Sequence, residues 1–388
     1  MEPVLLIDIT RLFGRLLTQR LPTGVDRVSL AYIRHYKDRA RAVLSQGAYS
    51  VVLSATDSAD AFELLLTPQP NAIKIAKRTI WKARLFGWML PSVTNGILIH
   101  TGHHGLESAD FAARLRHRGV RLVSMVHDLI PITHSEYCRP GETARHYVRI
   151  TNILKLSSAI ITNSQATLTE LDKTARRLNL AMPSACAAQL ASGLPNAKIA
   201  DRPLAAPYFV IFGTIEARKN HLLLLQIWPR LIAQLGDAAP RLVIIGQRGW
   251  ECENVVDLLE RCLPLQTVIL ELPACGDAEI VTWLHHAQAL LFPSFIEGYG
   301  MPMVEALTLG VPVIASDLAV FREIAGEIPE YVDSIDAIKW LTLIAAYTDT
   351  NHPLRLAQLT RIRQFQAPNW AQHFSKVDAV LEQIRCAR

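Results

Sequence analysis

Short apolar runs of four to six residues alternate with stretches of helical spacing along almost the whole chain. In the first half the strand candidates are 4–8, 42–45, 50–54, 96–100, 121–126 and 159–162. The rhythm restarts at 208–212 and continues through 241–245, 267–270, 289–292 and 311–315. Strands interleaved with helices predict α/β architecture, with parallel sheets joined by crossover helices. Between the halves lie Ala191-Ser192-Gly193-Leu194-Pro195-Asn196 and Asp201-Arg202-Pro203, rich in turn formers and without periodicity. At 388 residues the chain exceeds one ordinary core. Two domains are therefore expected, 1–200 and 201–368, followed by a terminal segment, 369–388. That segment has helical spacing through Trp370, Phe374, Val377, Val380, Leu381 and Ile384. It either docks on its own domain or crosses back to the first.

Half of the residues are hydrophobic, which excludes extensive disorder. No apolar run approaches the ~18 residues of a membrane-spanning helix, and the start has no secretion-signal pattern. Cys138, Cys186, Cys252, Cys262, Cys275 and Cys386 form no Cys-x-x-Cys pair, so they are expected as reduced thiols in a cytoplasmic protein. The net charge of +5 hides an asymmetry. Residues 1–195 carry 24 Lys/Arg against 14 Asp/Glu, whereas the remainder carries 16 against 21. A basic first half is suited to an anionic partner. Phospholipid headgroups and a phosphate-bearing substrate both fit. Nucleic acid is not expected as a partner, because no helix-turn-helix, zinc finger or aromatic-basic RNA motif is present.

The most informative segment runs from Leu291 to Leu307. An apolar strand ends at Pro293, and a loop containing Gly298, Tyr299 and Gly300 leads into a helix opening near Met301 and Pro302. Proline suits a first helical turn, glycines let backbone amides approach an anion, and the helix start adds partial positive charge. Glu297 and Glu305 flank this turn and could grip polyol hydroxyls on either side of a phosphate. Alone, Glu305 reads equally well as an acid favoured by the helix dipole.

Glu297, seven residues, Glu305, and then Gly310-Val311-Pro312-Val313-Ile314-Ala315-Ser316-Asp317 resemble the hallmark of the family-4 type of retaining glycosyltransferases. The resemblance implies the GT-B fold: two Rossmann-like βαβ domains facing each other across a cleft, with a C-terminal helix that can cross back to the first. It implies that Glu297 contacts the donor sugar and Glu305 the nucleotide ribose, while Gly298, Tyr299, Gly300, Met301 and Pro302 line the diphosphate and sugar. A second block, Phe212-Gly213-Thr214-Ile215-Glu216-Ala217-Arg218-Lys219-Asn220, follows the first strand of the second domain. There Arg218 and Lys219 would supply the positive charge that a diphosphate leaving group needs. Many relatives carry arginine directly after the glycine, where this chain has Thr214. By the same resemblance Gly246, in the turn Ile244–Trp250, lies near the nucleotide, and Pro273 lies where the base is held.

In the first domain, Pro22-Thr23-Gly24-Val25-Asp26-Arg27 resembles the family's glycine loop. His127, in Val126-His127-Asp128-Leu129, resembles the histidine that faces the donor sugar. Asp26, His103 and Asp128 are acceptor-side candidates, and Asn163-Ser164 matches a position near the cleft or simply caps a helix. No Asp-x-Asp pair occurs, so no metal and no cofactor are expected beyond a nucleoside-diphosphate sugar as co-substrate. The implied reaction is hexosyl transfer to a hydroxyl of a glycan or lipid-linked glycan in cell-surface polysaccharide synthesis. The second domain resembles bacterial polysaccharide and O-antigen mannosyltransferases, so a GDP-mannose-like donor is the expectation. The alternatives are a sugar-nucleotide epimerase, a phosphorylase or a catalytically silent scaffold. A dehydrogenase is disfavoured by the lack of Gly-x-Gly-x-x-Gly after the first strand.

Residues 73–90 project an apolar side opposite Lys74, Lys77, Arg78, Lys82 and Arg84, interleaved with Trp81, Leu85 and Trp88. Cations mixed with tryptophan suit either an anionic membrane face or a surface helix packed by neighbouring loops. The membrane reading places the enzyme peripherally on the inner face of the cytoplasmic membrane.

Overall fold

A computed structural model describes residues 3–20, 22–46, 49–86, 93, 95–108, 110, 111 and 117–386. It divides into two compact units. Unit 1 comprises residues 1–133, 140–190 and 370–388; unit 2 comprises 134–139 and 191–369.

Unit 1 is built on a seven-stranded sheet in the order β3-β2-β1-β4-β5-β6-β7. The strands are β1 (Val4–Asp8), β2 (Ala40–Gln46), β3 (Tyr49–Val52), β4 (Gly96–His100), β5 (Arg121–Val126), β6 (Ser157–Thr162) and β7 (Ser184–Ala187). The pairings are parallel except for β2 and β3, which run antiparallel with Val43 opposite Val52. The expected crossover is absent there for a simple reason. Two residues separate β2 from β3, and a parallel return needs a dozen or more. The central strands β4 and β5 are buried almost end to end, as their continuous Ile, Leu and Val content requires of a sheet covered on both faces.

The helix Trp370–Cys386 is part of unit 1, where it packs on β6 and β7. It buries Phe374, Val377, Val380, Leu381 and Ile384, the periodic positions of the sequence, and adds His373. The His373 ring takes Tyr32 Oη at 2.9 Å on Nε2, and its Nδ1 lies 3.1 Å from the carbonyls of both Ala188 and Gln189. Nδ1 therefore carries the proton. Burial lowers the His373 pKa to about 4, so this clasp is held by a neutral ring.

Unit 2 carries a six-stranded parallel sheet, β10-β9-β8-β11-β12-β13. Its strands are β8 (Tyr208–Phe212), β9 (Arg241–Ile245), β10 (Ile269–Leu272), β11 (Leu290–Phe292), β12 (Val313–Ser316) and β13 (Glu330–Val332). Trp228, Trp340, Phe209 and Tyr347 anchor its core. Two strands start later than their apolar runs. Thr267 ends the short helix Leu263–Gln266 before β10 begins, and the Val311 amide is held by the Ala306 carbonyl before β12 begins. Residues 134–139 join this unit, with Tyr137 stacked on Phe295 at 5.3 Å and Arg139 over the Trp250 ring at 4.8 Å.

Candidate functional site

The strand order of unit 2 reverses between β8 and β11, and ligands of open parallel sheets bind outside the carboxyl ends of the strands at such a reversal. The loops leaving these two strands carry Arg218, Lys219 and Glu297. After β8 the chain makes a short 3-10 turn, Ala217–Lys219, and Asn220 adopts a left-handed conformation with φ 56° before the helix His221–Leu235. Asn220 Nδ2 bonds the carbonyls of Pro293 at 3.2 Å and Ser334 at 2.8 Å, and the Phe295 amide bonds the Arg218 carbonyl at 2.8 Å. These bonds fix the two loops side by side.

The side chains then form one buried cluster. Lys219 Nζ stands 2.5 Å from Glu297 Oε1, and Arg218 Nη1 stands 2.7 Å from Glu297 Oε2. Ser294 Oγ donates to Glu297 Oε1 at 2.9 Å. Arg218 turns its other terminal nitrogen, Nη2, to Glu216 Oε1 at 2.6 Å. Burial would raise the Glu297 pKa, but Arg218 and Lys219 pull it down to about 2, so Glu297 is ionised throughout the neutral range. Burial raises the Glu216 pKa and Glu297 adds to the rise, against the pull of Arg218 and Lys219. Burial lowers the Lys219 pKa, opposed chiefly by Glu297. Two cations and two carboxylates thus stand in a site with little water. The ion pairs hold these charges in fixed orientation before any ligand is present.

The glycine turn after β9 packs directly on this arrangement. Gly246 has φ 154°, and a Cβ there would stand 2.0 Å from the Gly213 carbonyl oxygen. Thr214 and Ile215 pack beside it, and Ile215 exchanges backbone bonds with Gln247 and Gly249 at 2.9 and 2.8 Å. Gly300 precedes the helix Met301–Thr308, with Pro302 in its first turn. Glu305 lies past that first turn and is 1% exposed, so dipole stabilisation at a solvated helix start does not account for it. The Tyr299 side chain is buried, and Gly298 and Met301 are half-buried. Pro273 follows β10 in an exposed turn.

In unit 1, His127 follows β5, is buried, and bonds the Thr101 carbonyl through Nε2 at 2.7 Å. Burial lowers its pKa, so the ring is neutral. His103, after β4, hydrogen-bonds the Met125 carbonyl and stands 5.4 Å from the His127 ring and 6.4 Å from that of His146. Asp128 Oδ1 accepts from the Ile130 amide at 3.1 Å and so caps its own turn. Asp26, another acceptor-side candidate, lies in the first turn of the helix Gly24–Tyr36. It is fully buried and completes a capping box with Thr23 there. Gly24 opens that helix, and a further helix, Thr10–Leu17, separates it from β1. Ser164 caps the helix Gln165–Arg177 through the Thr167 amide at 3.0 Å, while Asn163 Nδ2 bonds the His127 carbonyl at 2.9 Å. Among the described residues no group of three or more His, Cys, Asp or Glu could hold a metal ion.

Sequence reasoning did not single out Glu216 or His146. Glu216 sits in the Arg-Lys block as a loop acid, and its partner Arg218 is visible only when the 3-10 turn is formed. His146 comes from the helix Glu142–Leu156 and follows no strand, so it carries no positional signal. The helix Ala72–Phe86 buries Ala72, Ala76 and Ala83 and exposes Lys74, Lys77, Arg78, Lys82 and Arg84 together with Trp81, 60% exposed, and Leu85. Lys82 pairs with Asp57 at 2.6 Å. Trp88 and Leu90 lie outside the described residues. Among the described residues no helix is long and apolar enough to cross a membrane.

Two α/β units, one on a mostly parallel sheet and one on a fully parallel sheet, define an α/β protein of the GT-B type. Solved structures match over nearly the full chain: Anabaena Alr3699/HepE, crystallised with UDP and glucose, at a TM-score of 0.66 and 15% identity, covering 99% of this chain and all of that one. An α,α-trehalose 6-phosphate synthase from Burkholderia multivorans matches at a TM-score of 0.63 and 11% identity, covering both chains in full. At those identities the likeness establishes the fold. Residues 206–340 match the family described as Glycosyl transferases group 1, and the chain therefore carries a domain of that family. The Escherichia coli serotype-specific mannosyltransferase WbdA is 33% identical over 156 residues, 38% of this chain and 18% of that protein. The chain thus spans under a fifth of that relative's length. The Escherichia coli O-antigen chain mannosyltransferase B is 28% identical over 269 residues, 66% of this chain and 69% of that protein.

Proposed function

We propose that the protein transfers a sugar from a nucleoside-diphosphate donor to a hydroxyl of a glycan or lipid-linked glycan during cell-surface polysaccharide synthesis, with retention of anomeric configuration. The observation that carries this reading is the buried Arg218–Lys219–Glu297 cluster at the strand-order reversal of the group 1 domain. As the glycosidic bond breaks, negative charge grows on the departing diphosphate, and Lys219 and Arg218 are held where they can neutralise it. Glu297 orders the two cations and meets the sugar hydroxyls, Glu305 holds the ribose, and backbone amides from Gly298 onward, with Gly213, Thr214 and Gly246, line the phosphates. His127 faces the sugar from unit 1, which holds the acceptor; unit 2 holds the donor. The mannosyltransferase relatives support a GDP-mannose-like donor.

Released nucleoside diphosphate, measured with and without a glycan acceptor, tests the reaction. Release that requires the acceptor is expected, and it should survive excess chelator, because cationic side chains rather than an aspartate-bound ion face the diphosphate. Complete loss restored by magnesium or manganese would refute the metal-free arrangement. Acceptor-independent release would refute transfer.

The helix Ala72–Phe86 is the proposed contact with the inner face of the cytoplasmic membrane. Exposed lysines and arginines around Trp81 match an anionic headgroup layer, in which indole sits at the boundary. Co-sedimentation with liposomes should require anionic lipid, weaken as salt rises, and drop when Lys74, Lys77, Arg78 and Trp81 are replaced together. Equal pelleting with neutral vesicles would leave an ordinary surface helix.

A further inference from the structure

The two loops that bring Arg218 and Glu297 together are joined at Phe295. Its amide donates to the Arg218 carbonyl at 2.8 Å. The residues on either side of it hold the charged groups themselves. Ser294 Oγ donates to Glu297 Oε1 at 2.9 Å, and the Ile296 carbonyl accepts from Arg218 Nη1 at 3.3 Å. A displacement of Phe295 would disturb all of these contacts at once. Yet Phe295 is only half-buried, unlike Phe292 at the end of β11, which is 2% exposed.

A second element covers it. Residues 134–139 belong to unit 2 although the chain on both sides of them belongs to unit 1. The 3-10 turn Ser135–Tyr137 lays the Tyr137 ring on Phe295, with centroids 5.3 Å apart and planes 4° from parallel. His134 stacks on Tyr137 in turn, at 6.3 Å and 16°. Three near-parallel rings are thus linked, the last of them on the loop of Glu297.

The same short segment has a second hold. Cys138 is extended, with φ −121° and ψ 152°, so Tyr137 and Arg139 project to the same side of the chain. There the Arg139 guanidinium stands 4.8 Å from the centre of the Trp250 ring. Trp250 ends the turn after β9, whose Gly246 and Gly249 pack against Gly213, Thr214 and Ile215. In the sheet β9 and β11 flank β8, and the loop after β8 carries Arg218 and Lys219. Residues 137 and 139 therefore grip both neighbours of the cationic loop. The chain then leaves through Gly141, whose φ of 81° strains any side chain, and enters the helix Glu142–Leu156. Ring pairs and cation–π contacts are each worth roughly two- to tenfold in an equilibrium, enough to hold a loop in one geometry.

We propose that residues 134–139 form a strap that positions the charged cluster, with Tyr137 as the positioning residue that keeps the Glu297 loop aligned with Arg218 and Lys219. Its part in sugar transfer rests on the transferase reading; the positioning of Glu297 rests on the contacts alone.

Kinetics and acid unfolding test it together, on full-length variants that melt cooperatively. Tyr137→Ala should lower kcat about five- to tenfold, the upper end of what a ring pair contributes, with the donor KM within about threefold. Tyr137→Phe keeps the ring and should recover kcat to within about twofold of wild type. Phe295→Ala should cost as much as Tyr137→Ala, and the double variant no more than either, because both break one contact. The second measurement needs no turnover. Glu297 has a pKa of about 2 beside Arg218 and Lys219, against an ordinary 4.5, so its stabilising charge is lost as pH falls from 4.5 towards 2. Without the strap the carboxylate sits less closely between the cations, and its pKa moves back towards 4.5. Urea unfolding across that range should show a smaller drop in stability for Tyr137→Ala than for wild type, and the full drop for Tyr137→Phe. Additive losses of kcat in the double variant would overturn the proposal, as would an acid profile of Tyr137→Ala equal to that of wild type. If the wild-type protein transfers no sugar, the transferase reading falls, and the acid profiles still decide whether Tyr137 positions Glu297.

Discussion

Lys219→Ala should lower turnover by a factor on the order of a hundred to a thousand, the loss that follows removal of one preorganised donor from a developing anion. The structure explains why the effect is large. The Nζ is buried, stands 5.0 Å from the centre of the Phe292 ring, and is held at Glu297 by a short ion pair. A charge in such surroundings is worth far more than one in water. The substitution also removes one partner of a buried ion pair, which costs about 3–5 kcal/mol where nothing compensates. Here Arg218 and Ser294 stay on Glu297, so the loss of stability is smaller, and the Glu297 pKa rises from about 2. Single-turnover kinetics on variant protein with a cooperative melting transition is the measurement. Turnover near that of wild type would remove Lys219 from the diphosphate site. A lower kcat with an unchanged KM would place its contribution in the transition state.

Much of this arrangement was legible because the informative residues stand where strands stop. Gly213 follows β8, Pro293 follows β11, and periodicity alone located both ends. The terminal helix was equally legible, since its apolar positions recur at helical spacing from Trp370 to Ile384. The edges of the sheets were not. β7, Ser-Ala-Cys-Ala, is half exposed, and β13 has three residues, so neither has the apolar run that marks a buried strand. Nor did the pattern reveal which charges meet. Lys219 and Glu297 are 78 residues apart, and only the adjacency of β8 and β11 brings them together. Asp26 read as an acceptor-side acid in a glycine loop; in the structure it is buried against Arg11 and Arg15, which belong to a helix whose contacts no local spacing encodes. Residues 134–139 likewise join unit 2 through Tyr137 and Arg139, two side chains with no apolar periodicity between them.

The two glutamates should separate cleanly in a binding experiment. Glu305→Ala is expected to weaken nucleoside diphosphate binding by roughly ten- to a hundredfold, the range for losing a hydrogen bond to a charged group. Glu305 is buried in the helix after the glycine turn, whereas the ion pairs of Arg218 and Lys219 run to Glu297 and Glu216, so the cluster keeps those pairs when Glu305 is replaced. Glu297→Gln acts in the opposite sense on the nucleotide. The neutral isostere no longer competes with phosphate for Lys219 and Arg218, so nucleoside diphosphate binding holds or tightens, while sugar transfer falls on the order of a hundredfold because the hydroxyl contact and the alignment of two cations are lost. A second readout is independent of activity. The Glu297 pKa in the folded protein, about 2, lies below its ordinary value of 4.5. Its ionised form therefore stabilises the fold above pH ~4.5, and that contribution disappears as pH falls towards 2. Glu297→Gln should lack this part of the acid sensitivity, whereas Glu305→Ala should keep it. Calorimetry with the nucleoside diphosphate at neutral pH, paired with acid unfolding curves, measures both. Equal loss of nucleotide binding in the two variants would end the division of labour between them, and acid unfolding unchanged by Glu297→Gln would mean that its carboxylate is not held by the two cations in solution.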